Sequence, residues 1–274
     1  MVTLTFPASA KSRLSAREMV QEESRDKESK YFFFQGRSLS TGPFYSIIVL
    51  RTNKMNRLYL LGDSTCADKK REARPETGWG EVISEYIVPG WVVVNCAFNG
   101  YSTVSCLKSG TFSSVLLSVK EGDCVIIQFG HNDEKTDERG TDPWGSYIAN
   151  LVFMANTIRE KKASVYFVTS VPRRIFLDGR LKDTHGDYIA AMKSAAHQAS
   201  VPVVDITIPL MEDILLLGDE ESRKYFMNFD KGIYPNYMDG DNDNTHLRPE
   251  GAKWVASRIV SELSLLDPKP AFIE

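Results

Sequence analysis

Four side chains in this sequence are of types that could do chemistry together. They are Ser64 in Gly62-Asp63-Ser64, Asn132 in Gly130-His131-Asn132-Asp133, and Asp243 and His246 in Asp243-Asn244-Thr245-His246. A serine hydroxyl is a weak nucleophile until a base removes its proton. His246, one of four histidines with His131, His185 and His197, is the candidate base. Asp243 stands three residues before it. A carboxylate there can fix the imidazole tautomer and stabilise the imidazolium formed during attack. Asp241 is the alternative partner. The amide of Asn132 and the backbone N–H of Ser64 can donate to an oxyanion without titrating. Gly100, in Asn99-Gly100-Tyr101-Ser102, offers a further N–H at a residue that tolerates positive φ. The set suits nucleophilic attack on a carbonyl carbon.

Each piece also has a plainer reading. Asp63, Ser64 and Thr65 are good helix caps. Asn132, Asp243, Asn244 and Thr245 are good turn residues. The serine does not lie in a GxSxG elbow. What carries the reading is the order of the four, each at the end of an apolar run or just before a helix. His131, Asp133, Asp243 and His246 are also types that ligate zinc. But side chains two apart after a strand diverge, and HExxH is absent. No metal and no cofactor are expected.

The elements that must position these groups repeat as strand and helix. Apolar runs at 58–61, 91–95, 124–129, 164–169 and 202–206 lack alternation, so helices should cover both faces of the strands. Trp144, Ile148, Leu151, Val152, Ala155 and Ile158 trace one helix face; Ile189, Met192, Ala195, Ala196 and Ala199 trace another. Pro249 suits the first turn of a final helix that buries Val255, Ile259 and Leu263. The alternation implies an α/β fold with a parallel sheet and right-handed crossovers. Function then collects at the carboxyl ends of the strands, where the loops of Ser64, Gly100 and Asn132 converge. Asp243 and His246 are placed in the loop before the final helix, within reach of that edge.

The 274 residues divide by character. Residues 1–55, with 9 Lys/Arg and 5 Asp/Glu, show no sustained period and read as a poorly structured extension, with Met55 as the natural start. The alternative is a docking arm that uses Phe32, Phe33 and Phe34. Residues 56–268 form the folded domain and 269–274 a C-terminal tail. A net charge of −3 gives no reason to expect nucleic acid. No apolar run approaches the roughly 18 residues that span a bilayer, and the start is not a secretory signal. A cytoplasmic protein without membrane partners is expected. Cys66, Cys96, Cys106 and Cys124 match no metal spacing and read as buried free thiols.

In this order, the segments Gly62-Asp63-Ser64-Thr65, Asn95-Cys96-Ala97-Phe98-Asn99-Gly100-Tyr101-Ser102, Gln128-Phe129-Gly130-His131-Asn132-Asp133 and Asp243-Asn244-Thr245-His246-Leu247 resemble the SGNH or GDSL hydrolases. Within them the chain looks like the rhamnogalacturonan acetylesterase group. The resemblance implies a flavodoxin-like three-layer α/β/α sandwich with a five-stranded parallel sheet, over the domain at 56–268. It implies Ser64 as nucleophile, His246 as base and Asp243 rather than Asp241 as its orienter. The oxyanion hole would be the N–H groups of Ser64 and Gly100 and the side chain of Asn132. One departure stands out: the family often reads Gly-Arg-Ser where this chain has Gly100-Tyr101-Ser102.

The expected substrate is an acetylated, pectin-type oligosaccharide. Arg173 and Arg174, after the fourth strand, are candidates for its galacturonate carboxylate. Trp79 and Trp144 are candidates for stacking on sugar faces, although the spacing of Trp144 places it rather in the helix core. The rival readings are an esterase, lysophospholipase or thioesterase of other acyl chains and a non-catalytic carbohydrate-binding protein.

Overall fold

The computed structural model describes residues 55–274, and of the first 54 only the backbone of 3–7, 21–23, 29–38 and 42–51. Two units result, Met1–Met55 and Asn56–Glu274. In the first, β1 (Thr3–Pro7), β2 (Gln21–Glu23), β3 (Ser29–Ser38) and β4 (Gly42–Arg51) form an antiparallel sheet in the order β1-β4-β3-β2. This is regular structure where the sequence shows no sustained period. The long β3 and β4 contain the aromatic and β-branched runs at 31–34 and 45–50, residue types that favour strands. The side chains of Phe32, Phe33 and Phe34, and with them the docking-arm reading, lie outside the described residues.

The second unit is built on five parallel strands: β5 (Asn56–Gly62), β6 (Trp91–Asn95), β7 (Cys124–Gln128), β8 (Ser164–Val168) and a short β11 (Val203–Val204). Between β8 and β11 lies a small hairpin, β9 (Phe176–Leu177) and β10 (Arg180–Leu181). The sheet order is β6-β5-β7-β8-β11, the doubly wound order of flavodoxin-like folds. In its register Leu58 pairs with Val93 and with Cys124. The chain reverses direction across the sheet at β5, so the carboxyl ends of β5, β6 and β7 border one crevice.

The lack of alternation in the strands has the expected cause. Leu58, Leu60, Ile126 and Val168 pack on one side against Trp79 of α1 (Trp79–Val82), Leu210 and Ile214 of α6 (Thr207–Ser222), and Val255, Ile259 and Leu263 of α7 (Pro249–Ser264). Tyr59, Leu61, Val125, Ile127 and Phe167 pack on the other side. They meet Cys106 of α2 (Thr103–Lys108), Phe112 of α3 (Thr111–Ser118), Leu151 of α4 (Ile148–Arg159) and Met192 of α5 (Asp187–Ala199). The architecture is the three-layer α/β/α sandwich. Among the described residues no helix is long and apolar enough to cross a membrane. Cys66, Cys106 and Cys124 are buried and all four thiols are free; burial pushes Cys106 and Cys124 up to about 12.

Three details differ from the sequence reading. Trp144 does not join the buried face of α4. It lies in a wider π-type turn, Pro143–Tyr147, and is 54% exposed. The extra residue in that turn rotates its side chain away from the core stripe. Asp243 and His246 do not lie in a loop but in β13 (Asp241–Leu247), paired antiparallel with β12 (Phe226–Phe229). And residues 269–274 are no tail. Phe272 is fully buried, with its ring centroid 5.6 Å from that of Trp91 and 5.8 Å from that of Tyr166. Its carbonyl accepts from the N–H of Val88 at 3.1 Å.

The segment Gly78-Trp79-Gly80 runs directly beneath the turn that follows Ser64. The N–H of Trp79 donates to the Thr65 carbonyl at 2.9 Å and that of Gly80 to the Cys66 carbonyl at 3.2 Å. A Cβ added at Gly78 would stand 2.2 Å from the Ala67 oxygen, and one at Gly80 2.5 Å from the Cys66 oxygen. Only glycine permits that approach.

Phe272→Ala should test the place of the C-terminal residues in the core. A buried phenylalanine reduced to alanine typically costs about 3–5 kcal/mol. Denaturant unfolding should show a loss of that order, whereas a true tail would show none.

Candidate active site

Ser64 follows the carboxyl end of β5. No helix begins there, contrary to the capping reading. Asp63 instead closes a turn: its Oδ1 accepts from the N–H of Thr65 at 2.9 Å and from its hydroxyl at 2.8 Å. The Thr65 hydroxyl also reaches Gln128 Oε1 at 3.1 Å, which in turn accepts from Trp79 Nε1 at 2.9 Å. Gln128 Nε2 donates to the Thr169 carbonyl at 3.2 Å. The Ser64 turn is thus anchored to β7 and to the residue that follows β8 by a buried polar network. Trp79 belongs to that network and is fully buried, so it has no face to offer a sugar.

His246 Nε2 lies 2.8 Å from Ser64 Oγ, and its Nδ1 lies 2.5 Å from Asp243 Oδ2. In a regular strand, residues three apart face opposite sides. Here the β12–β13 register shifts, so β13 uses more residues from Asn242 to Leu247 than β12 does from Phe226 to Asn228. In the surplus segment Asp243 Oδ1 accepts from the N–H groups of Thr245 at 2.7 Å and His246 at 3.1 Å. The chain curls around the carboxylate, and the imidazole folds back onto it. Asp241 is not the partner; its carboxylate accepts from the N–H of Asn242.

Burial alone would raise the Asp243 carboxyl and lower His246. The hydrogen bond and opposite charge they share outweigh it in both. Together with the N–H of Thr245, they hold Asp243 down at about 2. His246 is held above the ordinary histidine value of 6.5. The carboxylate is therefore always ionised at neutral pH, and the imidazole is a stronger base than a free one. A base so placed can take the hydroxyl proton as the oxygen attacks.

Among the described residues, the N–H groups of Ser64 and Gly100 have no internal acceptor. Gly100 has φ of 78°, a conformation glycine adopts without strain. Asn132 Nδ2 donates to the carbonyl of Tyr101 at 2.8 Å, which leaves its second N–H. Asp133, buried behind it, accepts from the N–H of Thr103 at 3.1 Å and from its hydroxyl at 2.5 Å. These bonds fix the Asn132 loop to the loop of Gly100. Burial pushes Asp133 up to about 7 against those hydrogen bonds.

The zinc alternative does not assemble. Among the described residues no group of three or more His, Cys, Asp or Glu could hold a metal ion. Asp133 is engaged with Thr103, and Asp243 and His246 with each other. His131 packs edge-on against His185, with ring centroids 4.6 Å apart. Burial pushes the His131 pKa well below the ordinary value.

The arginine pair is also corrected. Arg174 is 4% exposed and ion-paired with Asp219; its N–H donates to the Asn244 carbonyl at 2.9 Å. It braces β13 beside Asp243 from within. Arg173 is ion-paired with Glu134, and both are largely covered. Neither presents a free guanidinium for a carboxylate. Two cations at the site were not visible as such in the sequence. Arg139 NH1 lies 3.2 Å from Asn132 Oδ1 and 3.8 Å from where a Cβ on Gly100 would stand. It puts a guanidinium beside the glycine although residue 101 is a tyrosine. The other is Lys69, whose only sequence signal was its place five residues after Ser64.

The family profile of the GDSL-like lipases/acylhydrolases matches residues 60–254. Rhamnogalacturonan acetylesterase RhgT of Bacillus subtilis is 39% identical over 213 residues, 76% of this chain and 91% of that protein. Protein YxiM of Bacillus subtilis has a solved structure that matches with a TM-score of 0.67 at 20% identity, over 84% of this chain and 63% of that one, less than two thirds of its length. Acetylxylan esterase Axe2 of Geobacillus stearothermophilus matches with a TM-score of 0.56 at 19% identity, over 76% of this chain and 93% of that one. The two structural likenesses concern the fold. This chain belongs to the GDSL-like lipase/acylhydrolase family.

Because Asp243 raises His246, kcat/KM should fall as pH drops through an apparent pKa above 6.5. Asp243→Asn removes the groups that raise it, so the acidic limb should move to lower pH. The rate should also drop by about 10⁴, a loss seen for this substitution in a serine-histidine-aspartate site. A pH–rate profile of both proteins checks the sign and the size.

Proposed function

We propose that this protein is a serine acetylesterase that removes O-acetyl groups from pectin-type, rhamnogalacturonan-like oligosaccharides. The observation that carries the reading is the continuous contact from Ser64 through His246 to Asp243, together with two backbone donors that have no acceptor among the described residues. The substrate class rests on the similarity to the acetylesterase RhgT.

Ser64 Oγ attacks the acetyl carbonyl carbon while His246 Nε2 takes its proton. The carbonyl oxygen becomes an oxyanion that accepts from the N–H groups of Ser64 and Gly100 and from Asn132 Nδ2. As the intermediate collapses, the bond to the sugar oxygen breaks and His246 returns its proton to that oxygen. The acetyl group remains on Ser64. Water then attacks the acetyl-serine, again with His246 as base, and acetate leaves as the hydroxyl re-forms. Asp243 stays ionised throughout and holds the imidazolium. No step calls for a cofactor. The exposed ring of Trp144, held by a 2.9 Å bond from Nε1 to Asp187, supports a stacking role on a sugar face.

Acetate release from acetylated pectin oligosaccharides tests the reading. Wild type should release acetate with or without chelator, and Ser64→Ala should lose at least about 10⁴ in kcat. Turnover of long-chain esters alone would move the substrate to other acyl groups. Undiminished release by Ser64→Ala would overturn the nucleophile.

A further inference from the structure

Lys69 is a charged side chain with 1% exposure, close to the nucleophile and unused by the mechanism above. Its ammonium has three donors and no acceptor. One reaches the carbonyl of Ser64 itself at 2.5 Å, one reaches Asn99 Oδ1 at 2.7 Å, and one pairs with Glu76 at 2.7 Å. Burying an ammonium is costly unless every donor is met, as here. Asn99 immediately precedes Gly100. The two loops that present backbone N–H groups to the oxyanion come from different strands, after β5 and after β6. Asn132 and Asp133 join the Gly100 loop to the loop after β7, but they do not reach Ser64.

We propose that Lys69 is a positioning residue that clamps the Ser64 turn to the Asn99-Gly100 turn and so fixes the spacing of the two backbone donors. The inference rests on the acyl-transfer reading of the site. Oxyanion donors act through preorganisation: a donor that is present but misplaced stabilises the transition state less. The clamp therefore acts on kcat and on binding of tetrahedral mimics, and little on KM.

The same cation bears on the base. The titratable groups facing His246 are Asp243 on its own strand, Lys69 and Glu76 after the nucleophile, Asp63 beside Ser64, and buried His131 after β7. Of the clamp pair, Lys69 lowers the His246 pKa and Glu76 raises it. Removing one or the other must move the acidic limb of the pH–rate profile in opposite directions. Loss of packing alone would not produce that pattern.

The test uses the full chain, acetylated pectin oligosaccharide as substrate and phenylboronic acid as tetrahedral mimic. Asn99→Ala is an exposed change that removes one arm of the clamp with little risk to folding. It should lower kcat about 10-fold, a fraction of the 10²–10³ for a donor lost outright. Boronate inhibition should weaken in proportion and KM should stay within about twofold. Lys69→Met should do the same and shift the acidic limb to higher pH; Glu76→Gln should shift it to lower pH. If Lys69→Met fails to fold, Asn99→Ala decides. An Asn99→Ala protein with wild-type kcat and boronate affinity overturns the clamp. Full activity in Ser64→Ala would instead overturn the underlying acyl-transfer reading, whatever the clamp variants do.

Discussion

Ser64 and His246 are 182 residues apart in the chain, and their side chains meet at 2.8 Å. The site depends on that one contact being held in place. A parallel sheet fixes one end of it, because β5 is paired on both sides and its carboxyl end cannot drift. The other end hangs on a two-stranded hairpin that would be weak alone. Buried bonds supply what the hairpin lacks. Arg174 holds Asn244 from behind, Asn228 Nδ2 donates to Asn242 and Asn244, and the Thr77 N–H donates to the Leu247 carbonyl at 2.9 Å. The last of these ties the strand of His246 to the segment that runs under the Ser64 turn.

The electrostatics follow from the same placement. Asp243 and His246 are each partly buried, which by itself would discharge both. Their mutual contact reverses the outcome, and the two pKa values move apart. Buried groups without such a partner go the other way. His131 loses its proton readily, and Asp63, although bonded to Thr65, is pushed up by burial. One environment thus makes a permanent carboxylate, a strengthened base and a neutral histidine within a few loops.

Much of this was legible in the residues. The unbroken apolar runs of β5 and β7 required helices on both faces, and the loops after them required Ser64 and Asn132 at one edge. The spacing of Asp243 and His246 was readable as a pair, but not its cause, since a register shift between strands leaves no local pattern. Arg174 looked like a surface cation because arginine is usually exposed; its burial depends on Asp219, Ser222 and Asn244, which no window of sequence brings together. Trp144 was misplaced because one π-type turn breaks the helical count. Lys69 and Arg139 were passed over because a lone cation after a turn is most often solvated.

The close approach at Gly78 and Gly80 has a consequence for how this family's sequences are interpreted. Backbone crosses backbone there with no room for a methyl group, and the tryptophan between the glycines is sealed inside. A mutational scan would find the stretch intolerant, yet none of its side chains reaches the surface. Invariance there would record a steric limit on two crossing chains rather than contact with a ligand. Residues that choose the substrate are better sought where substitution is permitted, among exposed side chains.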